Sequence, residues 1–194
     1  MTATLERSAE RDAALRAALP HVPALGWTRA AMRAGLADIG EPAEAAEWLF
    51  PRGATGMVEA FSDLADREAI EAAGALETLR TGPRIRALLA ARLRWLEPWR
   101  EAERRAVGLL ALPWNAGIAA RVAGRTADTL WRAAGDTSTD LSRHTRRLTL
   151  AGIHVATLAF WLRQPEPPME EVLAFLDRRL ADLARLQRRP APRS

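Results

Sequence analysis

No stretch of this chain alternates apolar and polar residues with a period of two, while Ala, Leu, Arg and Glu fill most of its positions. These are good helix formers, and the β-branched runs that suit a sheet are missing. The chain is therefore predicted to be all-α, with Pro and Gly setting where each helix ends. A first helix is expected from about Leu5 to Val22, stopping before Pro23. The turn Ala24-Leu25-Gly26-Trp27 leads to Thr28, an N-cap for a short helix ending near Gly35. Gly40-Glu41-Pro42 forms another turn, with Pro42 at the first position of a helix reaching Leu49. Further helices are expected over roughly 54–80, 83–97, 98–112 and 114–134, the last closed by Gly135 as C′ glycine. Thr137 and Asp140 stand in the capping-box relation and open a helix to Arg163. After the Pro165-Glu166-Pro167-Pro168 joint, Met169, Val172, Leu173, Leu176, Leu180 and Leu183 recur at helical steps.

The predicted division is an N-terminal three-helix unit over 1–52, a C-terminal bundle over 53–188 and a basic disordered tail over 189–194. With 194 residues the chain can bury a substantial core. It has no Cys, which excludes disulfides, thiolate nucleophiles and thiolate metal sites. Net charge is only +4, yet the pI is about 11.1, because all 28 basic residues are Arg. Arg keeps its proton far into alkali, so the high pI reports the missing Lys rather than a cationic surface. Absent Lys and Tyr, together with a single Asn, match codon bias in a G+C-rich genome.

Residues Met1 to Leu19 mix Glu6, Glu10 and Asp12 with Arg7, Arg11 and Arg16, unlike a secretory signal or a mitochondrial presequence. The longest apolar stretch, Leu148 to Leu162, is shorter than the roughly 20 residues that cross a bilayer. These features lead to the expectation of a bacterial cytoplasmic protein, peripheral at most at the inner membrane.

The two short helices after a longer one resemble a helix-turn-helix. Together with the Gly26-Trp27 turn and the segment Leu49-Phe50-Pro51-Arg52-Gly53, the layout is similar to the tetracycline-repressor family, whose C-terminal bundle encloses a ligand pocket and pairs two protomers. DNA binding needs cations aimed at phosphates. The segment from Asp38 to Phe50 instead carries Asp38, Glu41, Glu44 and Glu47 and no base. Arg29, Arg33 and Arg52 lie outside it. No nucleic-acid partner is expected.

No catalytic or metal-binding constellation is legible either. His21, His144 and His154 are not paired at helical spacing, and no phosphate-cradling loop, nucleophile elbow or Glu-x-x-His motif is present. Glu101, Glu103, Glu170 and Glu171 read as solvated faces beside arginines, and His154 as a core residue. No cofactor is expected.

One block is distinctive: Leu112-Pro113-Trp114-Asn115, then Trp131-Arg132-Ala133-Ala134-Gly135-Asp136-Thr137-Ser138-Thr139-Asp140, then Thr145-Arg146-Arg147. With the Gly26-Trp27 turn and the Leu93 to Pro98 segment it resembles the COQ nine family of ubiquinone-biosynthesis accessory proteins, over about Asp12 to Ala184. The resemblance implies a homodimeric repressor-like fold without DNA binding, and a hydrophobic chamber for an isoprenoid quinone or phospholipid. It also implies a di-iron demethoxyubiquinone hydroxylase as partner, served by a substrate presenter with no chemistry of its own. The apolar residues available for such a chamber are Trp95, Leu110, Leu112, Trp114, Ile118, Val122, Trp131, Leu148, Val155 and Leu158.

The corresponding docking patch would comprise Asp140, Arg143, His144 and Arg147. Arg143 and His144 stand where mitochondrial members place two aromatics. Mitochondrial members also continue into an amphipathic membrane-binding helix. Here only Arg185, Arg188, Arg189 and Arg193 follow, each worth ~1 kcal/mol against anionic lipid, so membrane contact is expected to be weak and salt-sensitive.

Overall fold

The computed structural model describes residues 6–136 and 142–187, with the side chains of 142–143 and 183–187 outside the description. Among these residues all regular structure is helical: α1 (Ala9–Ala18), α2 (Val22–Leu25), α3 (Arg29–Asp38), α4 (Ala45–Leu49), α5 (Gly53–Ala73), α6 (Thr81–Leu96), α7 (Arg100–Leu110), α8 (Ala116–Ala133), α9 (Ser142–Arg163) and α10 (Met169–Gln187). Short 3₁₀ turns at Leu19–His21, Glu97–Trp99 and Pro113–Asn115 each carry a Pro near the start. A Pro at that position loses no needed N–H.

The first expected helix is instead two pieces. α1 starts at Ser8, whose hydroxyl accepts from the Arg11 amide, and Pro20 converts the path to 3₁₀ before α2. Pro23 lies inside α2 rather than beyond the helix, because the first turn tolerates it. Thr28 caps α3 as expected, accepting from the Ala31 amide at 3.3 Å.

Gly35 does not end α3, which continues to Asp38. Its role is a crossing point: a Cβ there would sit 2.4 Å from the Ala18 amide nitrogen and 2.5 Å from the Ala17 carbonyl carbon. α1 and α3 can therefore touch backbone to backbone. α5 ends at Gly74, with φ +63°, rather than at Arg80.

α5 runs through the middle of the molecule and packs against α6 and α8, while α9 lies between α8 and α10. Its central residues are buried on nearly every side, acids included. Asp63 accepts from Arg7 at 2.6 Å and Arg67 at 3.1 Å, and Arg67 also reaches Asp12 at 2.7 Å. This network ties α1 to α5.

The Gly26-Trp27 turn makes a second tie. Gly26 adopts φ +71°, and Trp27 enters the core to donate its indole N–H to the Ala102 carbonyl on α7 at 2.9 Å. Its ring lies 4.9 Å from Phe61, which lies 6.0 Å from Trp95.

Candidate functional site

A cavity of about 240 Å³ lies among α5, α6, α7, α8 and α9. α5 contributes Val58, Phe61 and Ser62, and α6 contributes Arg92. Apolar walls come from Val107 and Leu110 on α7, Val122 and Ala123 on α8, and Leu158 on α9. Each helix turns its small or apolar stripe inward, as amphipathic helices do. The mouth is formed by exposed lining residues, Ala111 after α7 and Val155 and Ala159 on α9.

The inner end is polar. Arg92, 1% exposed, donates from Nε to Asp66 at 2.7 Å and from Nη2 to Ser62 at 3.1 Å. Asp66 also accepts from the Thr126 hydroxyl at 2.8 Å. Burial pushes the Asp66 carboxyl up, and the Arg92 guanidinium and the Thr126 hydroxyl oppose it. The Nη1 of Arg92 has no acceptor.

Glu103 and His154 line the same end, each 5% exposed. Burial raises the Glu103 carboxyl pKa against the pull of Arg92. Burial, reinforced by Arg92, holds the His154 imidazole well below 6.5, so it is neutral. The solvated placement expected of Glu103 is corrected: it shares the inner stripe of α7 with Ala102, Ala106 and Val107. Among the described residues no cluster of His, Cys, Asp and Glu is arranged to hold a metal.

Of the ten apolar residues singled out in the sequence, Leu110, Val122, Val155 and Leu158 line this cavity. Trp95 touches it only through Phe61. Leu112 and Ile118 are half-buried outside its lining. Trp131 lies in a separate surface groove with Leu150 and Leu180, its indole donating to the Arg146 carbonyl at 3.2 Å. Trp114 and Leu148 are both 77% exposed and lie outside the cavity lining.

In the expected docking patch, His144 is exposed. Arg147, whose side chain is 11% exposed, pairs with Asp128 at 2.5 Å and Asp136 at 3.2 Å. Asp140 and the Arg143 side chain lie outside the described residues.

The sequence reasoning missed Arg92, Asp66, Ser62 and Thr126. For Arg92 a signal existed: Ile85, Leu88, Leu89 and Leu96 flank it at helical steps, so it stands on an apolar stripe.

The distinctive motif residues hold the cavity walls together. Asn115, 6% exposed, donates from Nδ2 to the Leu109 carbonyl at 2.8 Å and fixes the α7–α8 corner. Gly135 takes φ +86° and ends α8, as expected of a C′ glycine. Asp136 then meets Arg147, joining α8 to α9.

At the N-terminal unit, Arg29 and Arg33 are both bound to Glu47, each at 2.7 Å. Trp48 beside them is 62% exposed.

Residues 116–187, comprising α8, α9 and α10, match the COQ9 family. The chain is 31% identical over 176 residues to the mitochondrial ubiquinone biosynthesis protein COQ9 of Rattus norvegicus, covering 87% of this chain and 56% of that protein. Against the Homo sapiens COQ9 it is 31% identical over 177 residues, with 87% and 55% covered. The COQ9-A protein of Xenopus laevis gives 32% over 177 residues, with 87% and 56% covered. The chain thus spans a little over half the length of these curated relatives.

Among solved structures, a TetR transcriptional regulator from Nitrosomonas europaea superposes with a TM-score of 0.70 at 21% identity, covering 91% of this chain and 99% of that one. That likeness establishes the tetracycline-repressor-like fold. The chain is therefore similar to the COQ9 proteins of ubiquinone biosynthesis, with the family match carried by α8, α9 and α10, which wall and flank its cavity.

Proposed function

We propose that this protein is a lipid-binding accessory factor of ubiquinone biosynthesis. It takes an isoprenoid quinone intermediate into the α5–α9 cavity and presents it to a di-iron demethoxyubiquinone hydroxylase, performing no chemistry itself. The observation that carries this reading is an apolar chamber walled in part by α8 and α9, which lie in the segment that matches the COQ9 family. Lipids need such preformed apolar walls with few polar groups at one end.

The working form is a homodimer. Thr145, Leu148, Gly152, Val155 and Ala159 follow at steps of three and four and leave an exposed seam on α9. Val155 is 51% exposed and Leu148 77%, a level of apolar exposure that suits a second copy. The setting is a bacterial cytoplasm at the inner membrane face, where quinone lipids partition. Among the described residues no single helix is long and apolar enough to cross a membrane.

The test is deletion of the gene followed by quinone profiling. Build-up of a demethoxy precursor is expected, and an unchanged quinone pool refutes the reading. Native mass spectrometry of gently purified protein should show a co-purifying quinone or phospholipid.

The fold likeness to a TetR regulator favours a second reading, a repressor with a small-molecule pocket. Against it, Arg29 and Arg33 beside the recognition segment both engage Glu47, and Arg52 engages Glu59. Tight, sequence-dependent gel shifts with flanking genomic DNA would revive it.

A further inference from the structure

We propose that the cavity takes its ligand head first, with a neutral oxygen-bearing ring seated at Arg92, Glu103 and His154 and the apolar tail leaving between Ala111 and Val155–Ala159. This rests on the reading of the cavity as a lipid site and adds an orientation and a head-group chemistry to it.

Buried polar groups from three helices line the inner end, each with hydrogen-bonding capacity that the described residues do not use. Arg92 Nη1 and His154 Nδ1 are sealed from solvent and unbonded. The Glu103 carboxyl makes no hydrogen bond or ion pair within the described residues and is 5% exposed. Leaving one such group unmet costs about 1–3 kcal/mol. Arg92 Nη1 and His154 Nδ1, with the Glu103 carboxyl on the wall of the same cavity, mark a place for a group that meets them.

Charge selects that group. Arg92 is already offset by Asp66 at 2.7 Å. Burial favours the protonated Glu103 and the neutral His154. A carboxylate or phosphate would bring a buried charge with no free counter-ion. A carbonyl or phenolic oxygen instead accepts from Arg92 Nη1, and a second oxygen on the ring lies at the Glu103 carboxyl.

Size selects the depth of insertion. Pockets that enclose a drug-sized ligand hold roughly 300–1,000 Å³. At about 240 Å³ this one takes a substituted ring and the start of a chain, not a long isoprenoid. The rest of the tail passes Val155 into the α9 seam, where the second copy covers it.

The experiment is calorimetric titration of the full chain with three probes: 2,3-dimethoxy-5-methyl-6-prenyl-1,4-benzoquinone, farnesol and farnesoic acid. Glu103→Leu and His154→Leu leave the Arg92–Asp66 pair intact. Each is expected to weaken the quinone on the order of ten-fold and leave farnesol unchanged. Farnesoic acid should bind more weakly than farnesol. Equal losses for quinone and farnesol, no loss for quinone, or farnesoic acid as the tightest probe would each overturn the head-first orientation while the lipid reading stands. Failure of the wild-type chain to bind quinone and farnesol removes both. If the variants do not fold, infrared spectra of the wild-type complex with carbonyl-labelled quinone decide. A downshifted carbonyl stretch supports the proposal, and a stretch unchanged from detergent solution refutes it.

Discussion

Replacing Arg92 with Met should be among the most damaging single changes in this molecule. The side chain is 1% exposed and its volume would be largely refilled, so packing loss is small. What remains is Asp66, fully buried, with only the Thr126 hydroxyl at 2.8 Å to face it. Stranding one member of a buried ion pair costs about 3–5 kcal/mol. At about 2–4 °C per kcal/mol for a chain of this size, the melting temperature should fall by roughly 6–20 °C.

The loss should be pH-dependent with a definite sign. Without Arg92, the folded-state pKa of Asp66 rises further above its unfolded value of about 3.9. The folded state then binds the extra proton, so the deficit fades as pH falls through the raised value and is fully present above it. Urea melts followed by tryptophan emission between pH 4 and pH 8, on R92M and on the R92M/D66N double variant, measure this. The double variant should recover most of the loss. A cost under about 1 kcal/mol, or a double variant no better than the single, would refute the account of Asp66 and Arg92 as a mutually dependent buried pair.

Gly35→Ala should cost about 2–3 kcal/mol in the same melts, because its Cβ would meet Ala17 and Ala18 backbone that cannot yield cheaply; a neutral result sinks the close-crossing argument. His154 is held neutral in the fold, so stability is expected to drop as pH falls through about 6.5, and His154→Leu should flatten that acid limb in melts from pH 5 to pH 7.5. Leu148→Asp should shift the chain towards monomer in light scattering with little change in helicity, since Leu148 is 77% exposed and loses no internal packing.

The helical plan was readable because its punctuation is chemical. Thr28 and Gly135 cap where their side chain or positive φ requires. Gly35 misled for a physical reason: a missing Cβ serves a helix end and a helix crossing equally well, and only the partner backbone of α1 distinguishes them. The cavity was half legible. Periodicity shows that α7, α8 and α9 are apolar on one side, which is where Leu110, Val122 and Leu158 lie.

It cannot show whether an apolar side chain meets a void, as Leu158 does, or open solvent, as Leu148 does. The polar end was harder still. Asp66 and Arg92 are 26 residues apart on different helices, and although Arg92 stands on an apolar stripe, nothing in the sequence pairs it with Asp66. Glu103 was hidden by the arginines next to it at 104 and 105, which point away while it turns in.

The wedge at Trp27 links two parts of the chain that sequence treats as separate. Its indole hangs on the carbonyl of Ala102, the residue immediately before Glu103, and its ring leans on Phe61, a wall of the chamber. A guest that displaces Phe61 or Glu103 must therefore drag the Gly26 hinge with it. The front of the chain thus braces the chamber, and loosening the Trp27 wedge would be felt at the chamber wall.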